Sequence, residues 1–380
     1  MKKNQLVTLG KHIDILSGCA FPSSGFNRNN GVPLIRIRDI LSGKTETYYE
    51  GSYDLKYLIK KGDLLVGMDG DFNREYWKGT DALLNQRVCK ITPNPETLDK
   101  NFLYHFLQKE LDKIHATTDV VTVKHLSVKK IQDIKIRLPS LKEQKRIAAF
   151  LDKADAIRQK REQAIKLADD FLRAKFLEMF GTPANNIHRF PKGTIRDLVD
   201  SVNYGTSAKA SIDSGEYPIL RMGNITYQGR WDFTDLKYLD LSVKEKDKYL
   251  VKEGDLLFNR TNSKELVGKT AVYEEDRPMA FAGYLIRVRP NSIGNNYYIS
   301  GYLNSIHGKI TLMNMCKSIV GMANINAQEL QNIEILIPPK HLQDEYEIIY
   351  KKIKKGLSIY DKSAMQLQLL ASNLSNKYFM

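Results

Sequence analysis

The residues with most to offer chemically are cations and amides set in polar stretches beside short apolar runs. In the first third of the chain these are Arg36, Arg38, Lys44, Arg74, Gln86 and Arg87, with Tyr48 and Tyr49 in the same loop as Lys44. Further on they are Arg221, Asn224, Arg260, Asn262, Ser263 and Lys269. Arg and Lys suit guanine edges in the major groove, and Asn and Gln suit adenine. Lys, Arg, Ser, Thr and Tyr suit backbone phosphates. Lys124 and His125 form a secondary set of the same kind. For any one of these residues a solvated charge or half of an internal salt bridge is the default reading. Of the set, about a third are expected to contact DNA.

Catalytic chemistry finds less support. Gly268-Lys269-Thr270 ends like a phosphate-binding loop, but Ser263 stands where its first glycine is required. Asp133, Glu143 and Lys145 imitate the spacing of a metal-dependent nuclease, yet Glu143 already has a capping role and Lys145 lies on the same helix. The seven histidines form no HxxxH or HExxH pair, so no metal site is indicated. An adenine methyltransferase would need a glycine-rich cofactor loop and an Asn/Asp-Pro-Pro-aromatic element, and neither is present.

Composition agrees with a DNA-binding role. The 380 residues carry a net charge of +14, spread along the chain, and a basic folded protein suits a polyanionic partner. Cys19, Cys89 and Cys316 are few, odd in number and widely spaced, as expected in a reducing cytoplasm. Lys11, His12 and Asp14 interrupt any signal-peptide core, and no apolar run reaches the length of a membrane span.

The elements that position these residues are organised around the stretch from Leu141 to Phe180. It holds no Gly or Pro and is rich in helix formers. Ser140 and Glu143 make a capping box at its start, and Gly181 and Pro183 follow its end. Such a helix is roughly 60 Å long. Ile147, Phe150, Ala154, Ile157, Ala164, Ala168 and Phe171 step by three and four along a heptad seam, with Arg161 on it. Leu151, Ile165 and Leu172 widen that seam, which implies more than one partner helix. A second run follows Pro338 and Pro339, with Leu342, Tyr346, Ile349, Ile353, Tyr360, Leu367, Leu370 and Leu374 again near a 3.5-residue step. Gly356 sits on this second seam, where it would permit a close approach or a bend. The two seams are natural partners. An antiparallel pair is plausible, although connectivity alone does not fix the direction.

The segments before these helices repeat. GVPLIRIRDI matches EYPILRMGNI, and YLIKKGDLLVGM matches YLVKEGDLLFNR. LLNQRVCKITP matches AFAGYLIRVRP, and VTVKHLSVKKIQDIKIRLPS matches GMANINAQELQNIEILIPP. The offset drifts from 192 at Gly62 and Gly254 to 199 at Pro139 and Pro338, as in a tandem duplication with loop insertions. In this alignment Arg221 corresponds to Arg36 and Asn224 to Asp39. VPLIRIRDI is expected to be a strand around Ile35 to Ile37, and ALLNQRVCKITP another. The expected fold class is α+β, with recognition domains at 1–138 and 182–337 and spacer helices at 139–181 and 338–380.

LPSLKEQKRIAAFLDKADAIRQKREQAIKLADDFL resembles the central helix of type I restriction–modification specificity subunits. KKGDLLVGMDGDF with ALLNQRV, and KEGDLLFNRTNSKELVGKTAVY, resemble the frameworks of that family's two target-recognition domains. The resemblance spans essentially the whole chain. It implies two tandem α/β target-recognition domains separated by two long helices that form an antiparallel coiled coil. It implies a non-catalytic subunit whose two domains each read half of a bipartite, asymmetric double-stranded DNA site. The helices would set the spacing and dock two modification subunits, with Leu151, Ile165, Leu172, Tyr346 and Ile353 as the contact positions. S-adenosylmethionine, ATP and Mg2+ would belong to the modification and the restriction–translocase subunits, and this chain would hold no cofactor. The rival readings are an enzyme acting alone and a scaffold whose coiled coil gathers proteins.

Overall fold

The computed structural model describes residues 5–118, 124–319 and 322–379. The chain forms two compact units, the first built from residues 1–160 and 362–380 and the second from residues 161–361. Each long helix therefore contributes a segment to both units.

In unit 1 a four-stranded antiparallel sheet runs in the order Ile13–Ser17, Val88–Pro93, Leu64–Gly67, Arg74–Tyr76. Strand side chains alternate between faces, and here both faces are covered. Leu64 and Val66 join Phe102, Phe106 and Leu107 of the helix Lys100–Thr117 in one core. Leu65 points into a second core with Ile35, Trp77 and Leu84. Unit 2 repeats the plan with strands Val199–Tyr204, Leu285–Pro290, Leu256–Asn259 and Thr270–Val272. Leu256 and Phe258 enter one core and Leu257 the other. The turns before the two central strands need a left-handed residue, and Gly62 and Gly254 supply it at φ +90° and +87°.

Two strand expectations are corrected. The strand Val32–Ile35 ends one residue before Arg36, and Ile37–Asp39 is a 3-10 turn. The cause is Asp39, whose Oδ2 accepts from the Arg36 N–H at 2.9 Å and curls the chain. Asn224 does the same for Arg221 at 2.8 Å, so the repeat alignment holds at atomic detail. ALLNQRVCKITP is two strands in different sheets, Ala82–Leu84 and Val88–Pro93, divided by a turn. The matched stretches VTVKHLSVKK and GMANINAQEL begin at Val121 and Gly321, which lie outside the described residues.

The central helix runs over Leu141–Phe180 and the C-terminal helix over Lys340–Phe379. Each is docked on its unit by a buried glutamine. Gln144 Nε2 donates to the carbonyls of Thr97 and Pro139 at 3.0 and 2.9 Å. Gln343 Nε2 donates likewise to Ile293 and Pro338 at 2.9 and 2.8 Å. In unit 2 Phe176 packs edge-on against Tyr346, while Asp169 shares a pocket with Tyr350 and Lys354, and Ile165 shares another with Leu357 and Ser358. One helix descends as the other rises, so the pair is antiparallel. In unit 1 Ile147 and Phe150 line one pocket with Leu370 and Leu374.

The buried face of the central helix differs from the seam read in the sequence. Ile147, Leu151, Ala154, Leu172, Phe176 and Phe180 are buried, whereas Ile157 and Phe171 are exposed. Ala154 and Leu172 are 18 residues apart, which is five turns of a 3.6-residue helix. A strict 3.5-residue stripe drifts off such a face by about 20° per heptad. Gly356 neither breaks the C-terminal helix nor admits a close neighbour: a Cβ there would meet nothing within 4 Å among the described residues. The side chain of Tyr360 lies outside the described residues.

Candidate nucleic-acid interface

In unit 1 the central strand runs out into Met68-Asp69-Gly70, and the backbone there is pinned from both sides. Met68 N–H donates to Arg87 O at 2.9 Å, Leu126 N–H to Met68 O at 2.8 Å, and Gly70 N–H to Lys124 O at 3.1 Å. These bonds gather three distant stretches at one edge. Asp69 sits at the middle, with Oδ2 at 3.3 Å from Arg87 Nε and Oδ1 accepting from His125 Nδ1 at 2.6 Å. The Arg87 and His125 side chains are 55% and 58% exposed. The turn Ile37–Asp39 abuts the same edge, because a Cβ on Gly67 would fall 2.9 Å from Ile37 Cγ1. Arg36 and Arg38, both exposed, flank and occupy that turn.

Unit 2 builds the same edge from other side chains. Arg260 N–H donates to Tyr284 O at 3.0 Å, and Ile325 N–H donates to Arg260 O at 2.9 Å. Thr261 and Asn262 pair with Asn324 and Ala323. Arg260 thus takes the place of Met68, Thr261 of Asp69, Tyr284 of Arg87 and Asn324 of His125. Thr261 Oγ1 donates to Asn324 Oδ1 at 3.2 Å. The Arg260 guanidinium lies over the Tyr204 ring, 4.8 Å from its centroid. Tyr284 is 55% exposed.

Several of the expected DNA contacts have partners within the chain. Asn224 is buried, and its amide donates to the carbonyls of Asp232 and Asp235 at 2.8 and 3.0 Å. Lys269 is buried with Nζ on Met222 O at 2.8 Å, and burial lowers its pKa, so it cannot serve as a phosphate-loop lysine. Tyr49 is a core residue beside Phe21. Arg221 is held by Asp235 at 2.8 Å, and Arg74 lies over the Tyr104 ring at 3.4 Å. Lys124 Nζ donates to His115 O at 2.6 Å. Lys44 and Gln86 are exposed, while Tyr48, Asn262 and Ser263 are half-buried. Three of the partner-contact positions also turn inward: Leu151, Leu172 and Tyr346 are buried within the chain's own packing, and Ile165 and Ile353 are half-buried.

Asp69, Thr261, Tyr284 and Asn324 escaped the sequence reading. The repeat offsets could have paired Asp69 with Thr261, Tyr284 with Arg87 and Asn324 with His125, but only the backbone ladder shows that they share an edge. Among the described residues no group of His, Cys, Asp or Glu could hold a metal ion, and no helix is long and apolar enough to cross a membrane.

A model of the type I restriction modification DNA specificity domain matches residues 1–167 and again 190–371. The specificity subunit of the type I restriction enzyme EcoBI from Escherichia coli is 30% identical over 401 residues, covering 97% of this chain and 82% of that protein. This chain belongs to the type I restriction–modification specificity subunits. The EcoKI specificity subunit of Escherichia coli strain K12 is 23% identical, covering 92% of this chain and 80% of that one. The crystal structure of the type I system S subunit from M. genitalium shares the fold, with a TM-score of 0.66 at 15% identity over 100% of this chain and 97% of that one. A specificity subunit is the non-catalytic, DNA-reading component of its system. The two edges described above combine exposed polar groups with a hydrogen-bonded backbone frame.

Proposed function

We propose that each unit reads one half of a bipartite, asymmetric duplex DNA site. The observation that carries this is one backbone frame filled by Asp69, Arg87 and His125 in one unit and by Thr261, Tyr284 and Asn324 in the other. Two different donor and acceptor sets in one geometry read two different base sequences. The long helices set the gap between the halves. Their exposed Leu167, Phe171, Ile348 and Leu369 offer apolar surface to two modification subunits. S-adenosylmethionine, ATP and Mg2+ are then held by those subunits and by the restriction–translocase subunits, in the cytoplasm.

Methylation mapping in cells that carry the complete system tests this directly. The expected result is a split adenine-methylation motif with a fixed unread gap. A single continuous motif, or methylation without sequence preference, would overturn the two-reader scheme. Binding should also weaken steeply with salt, because each phosphate contact releases counterions.

A further inference from the structure

The carboxylate of Asp69 is out of place on a surface that faces a polyanion. It carries negative charge at the centre of the unit 1 edge, yet it lies beside a conformationally pinned backbone and between two exposed cationic or polar groups. A carboxylate can itself accept from cytosine N4. Here, however, Oδ1 already accepts from His125 and Oδ2 already faces Arg87. Arg87 approaches Asp69 most closely through Nε, at 3.3 Å, and its side chain is 55% exposed, which leaves room for the two Nη groups to face outward. That fork matches the O6 and N7 acceptors of guanine. On His125 the bond to a carboxylate puts the proton on Nδ1 and turns Nε2 outward. In unit 2 the same place holds Thr261, which has no charge with which to orient an arginine, and the residue opposite is Tyr284.

We propose that Asp69 is a positioning residue that aims Arg87 at the guanine of one G·C pair in the first half-site and fixes His125 beside it. This rests on the two-reader scheme above. A bidentate arginine contact discriminates by about 5- to 150-fold against a wrong base pair, and a guanidinium free to rotate forfeits part of that. The Thr261 edge lacks the device, so the second half-site is read at the equivalent place without an end-on arginine from the Tyr284 position.

The test uses the full chain in complex with its modification subunits and duplexes that permute every base pair of the mapped site. Arg87→Ala should abolish discrimination at one G·C position of the first half-site. Asp69→Asn should lower discrimination at that same position by a part of that range of about 5- to 150-fold, roughly twofold to fivefold, and Asp69→Glu should restore part of it. The second half-site should be read as before, and the thermal midpoint of Asp69→Asn should stay close to wild type. A uniform loss of affinity with a lowered midpoint would make Asp69 merely structural and overturn the proposal, as would a preference for C or A at the Arg87 position. An Asp69→Asn complex with an unchanged motif would overturn it while leaving the two-reader scheme standing. A wild-type complex with no base preference in either half would remove both.

Discussion

Asp63 and Asp255 occupy the same turn in the two units and are treated differently. Each accepts a backbone N–H, from Lys60 and Lys252, at 2.9 Å. Asp63 remains 28% exposed with Lys90 Nζ at 3.5 Å. Asp255 is 6% exposed and grips Arg289 through Nε and Nη2 at 2.8 and 3.0 Å, with Arg287 Nε at 3.9 Å. The difference teaches that the duplication preserved the backbone frame and its hydrogen-bond positions, and left the side chains free to diverge. The edges proposed to read DNA follow the same rule, with Asp69 and Arg87 in one unit and Thr261 and Tyr284 in the other.

The largest effects should come from what the units share, their helix-anchored cores. Phe176 stacks on Tyr298 in unit 2, and Phe379 stands edge-on to Phe102 and Phe106 in unit 1. Phe176→Ala and Phe379→Ala should each cost about 3–5 kcal/mol, lowering the calorimetric midpoint of the affected unit by about 6–20 °C. If Phe379→Ala behaved like a surface change, the C-terminal helix would have no part in the core of unit 1 and the comparison would break.

Next comes the divergent aspartate. Asp255→Asn leaves two arginines beside a buried site without their carboxylate and should cost about 3–5 kcal/mol. Asp63→Asn removes a solvated pair and should cost under about 1 kcal/mol. Urea unfolding of the two variants measures the contrast, and equal losses would contradict it.

A smaller asymmetry is Lys309 in unit 2, beside Arg173 and Lys269, with its Nζ buried and the Tyr227 ring 4.9 Å away. Burial pushes its pKa down to about 8 from an ordinary 10.5. The folded state therefore binds fewer protons than the unfolded state between those values, and the stability of unit 2 should rise with pH across that window. Lys309→Met should raise stability at neutral pH by about 1 kcal/mol and flatten this rise. Urea midpoints at pH 7.5 and 9.5 would show it.

Much of the frame could be read from the sequence because its signals are local. The Gly-Asp turns at Gly62 and Gly254, the helix formers from Leu141 and the paired Arg36 and Arg221 all sit where expected. What could not be read is non-local. The strand after Pro33 stops early because the Asp39 side chain competes for the Arg36 N–H. Phe171 left the seam, and Leu172 entered it, because a long helix keeps 3.6 residues per turn where the pattern suggested 3.5. Asn224 and Lys269 look like groove readers by type, but their partners are carbonyls from loops remote in sequence. Gln144 and Gln343 pass for solvated helix residues until the carbonyls of Thr97 and Ile293 come to meet them.

Two unlike sets of side chains on one duplicated frame are proposed to read two independent halves of a DNA site. The most direct test replaces residues 1–138 with the corresponding domain of another specificity subunit and maps methylation in cells that express the chimera with its modification subunits. One half of the motif should change while the other half and the gap stay as they were. A motif altered in both halves, or in neither, would contradict the two-reader scheme.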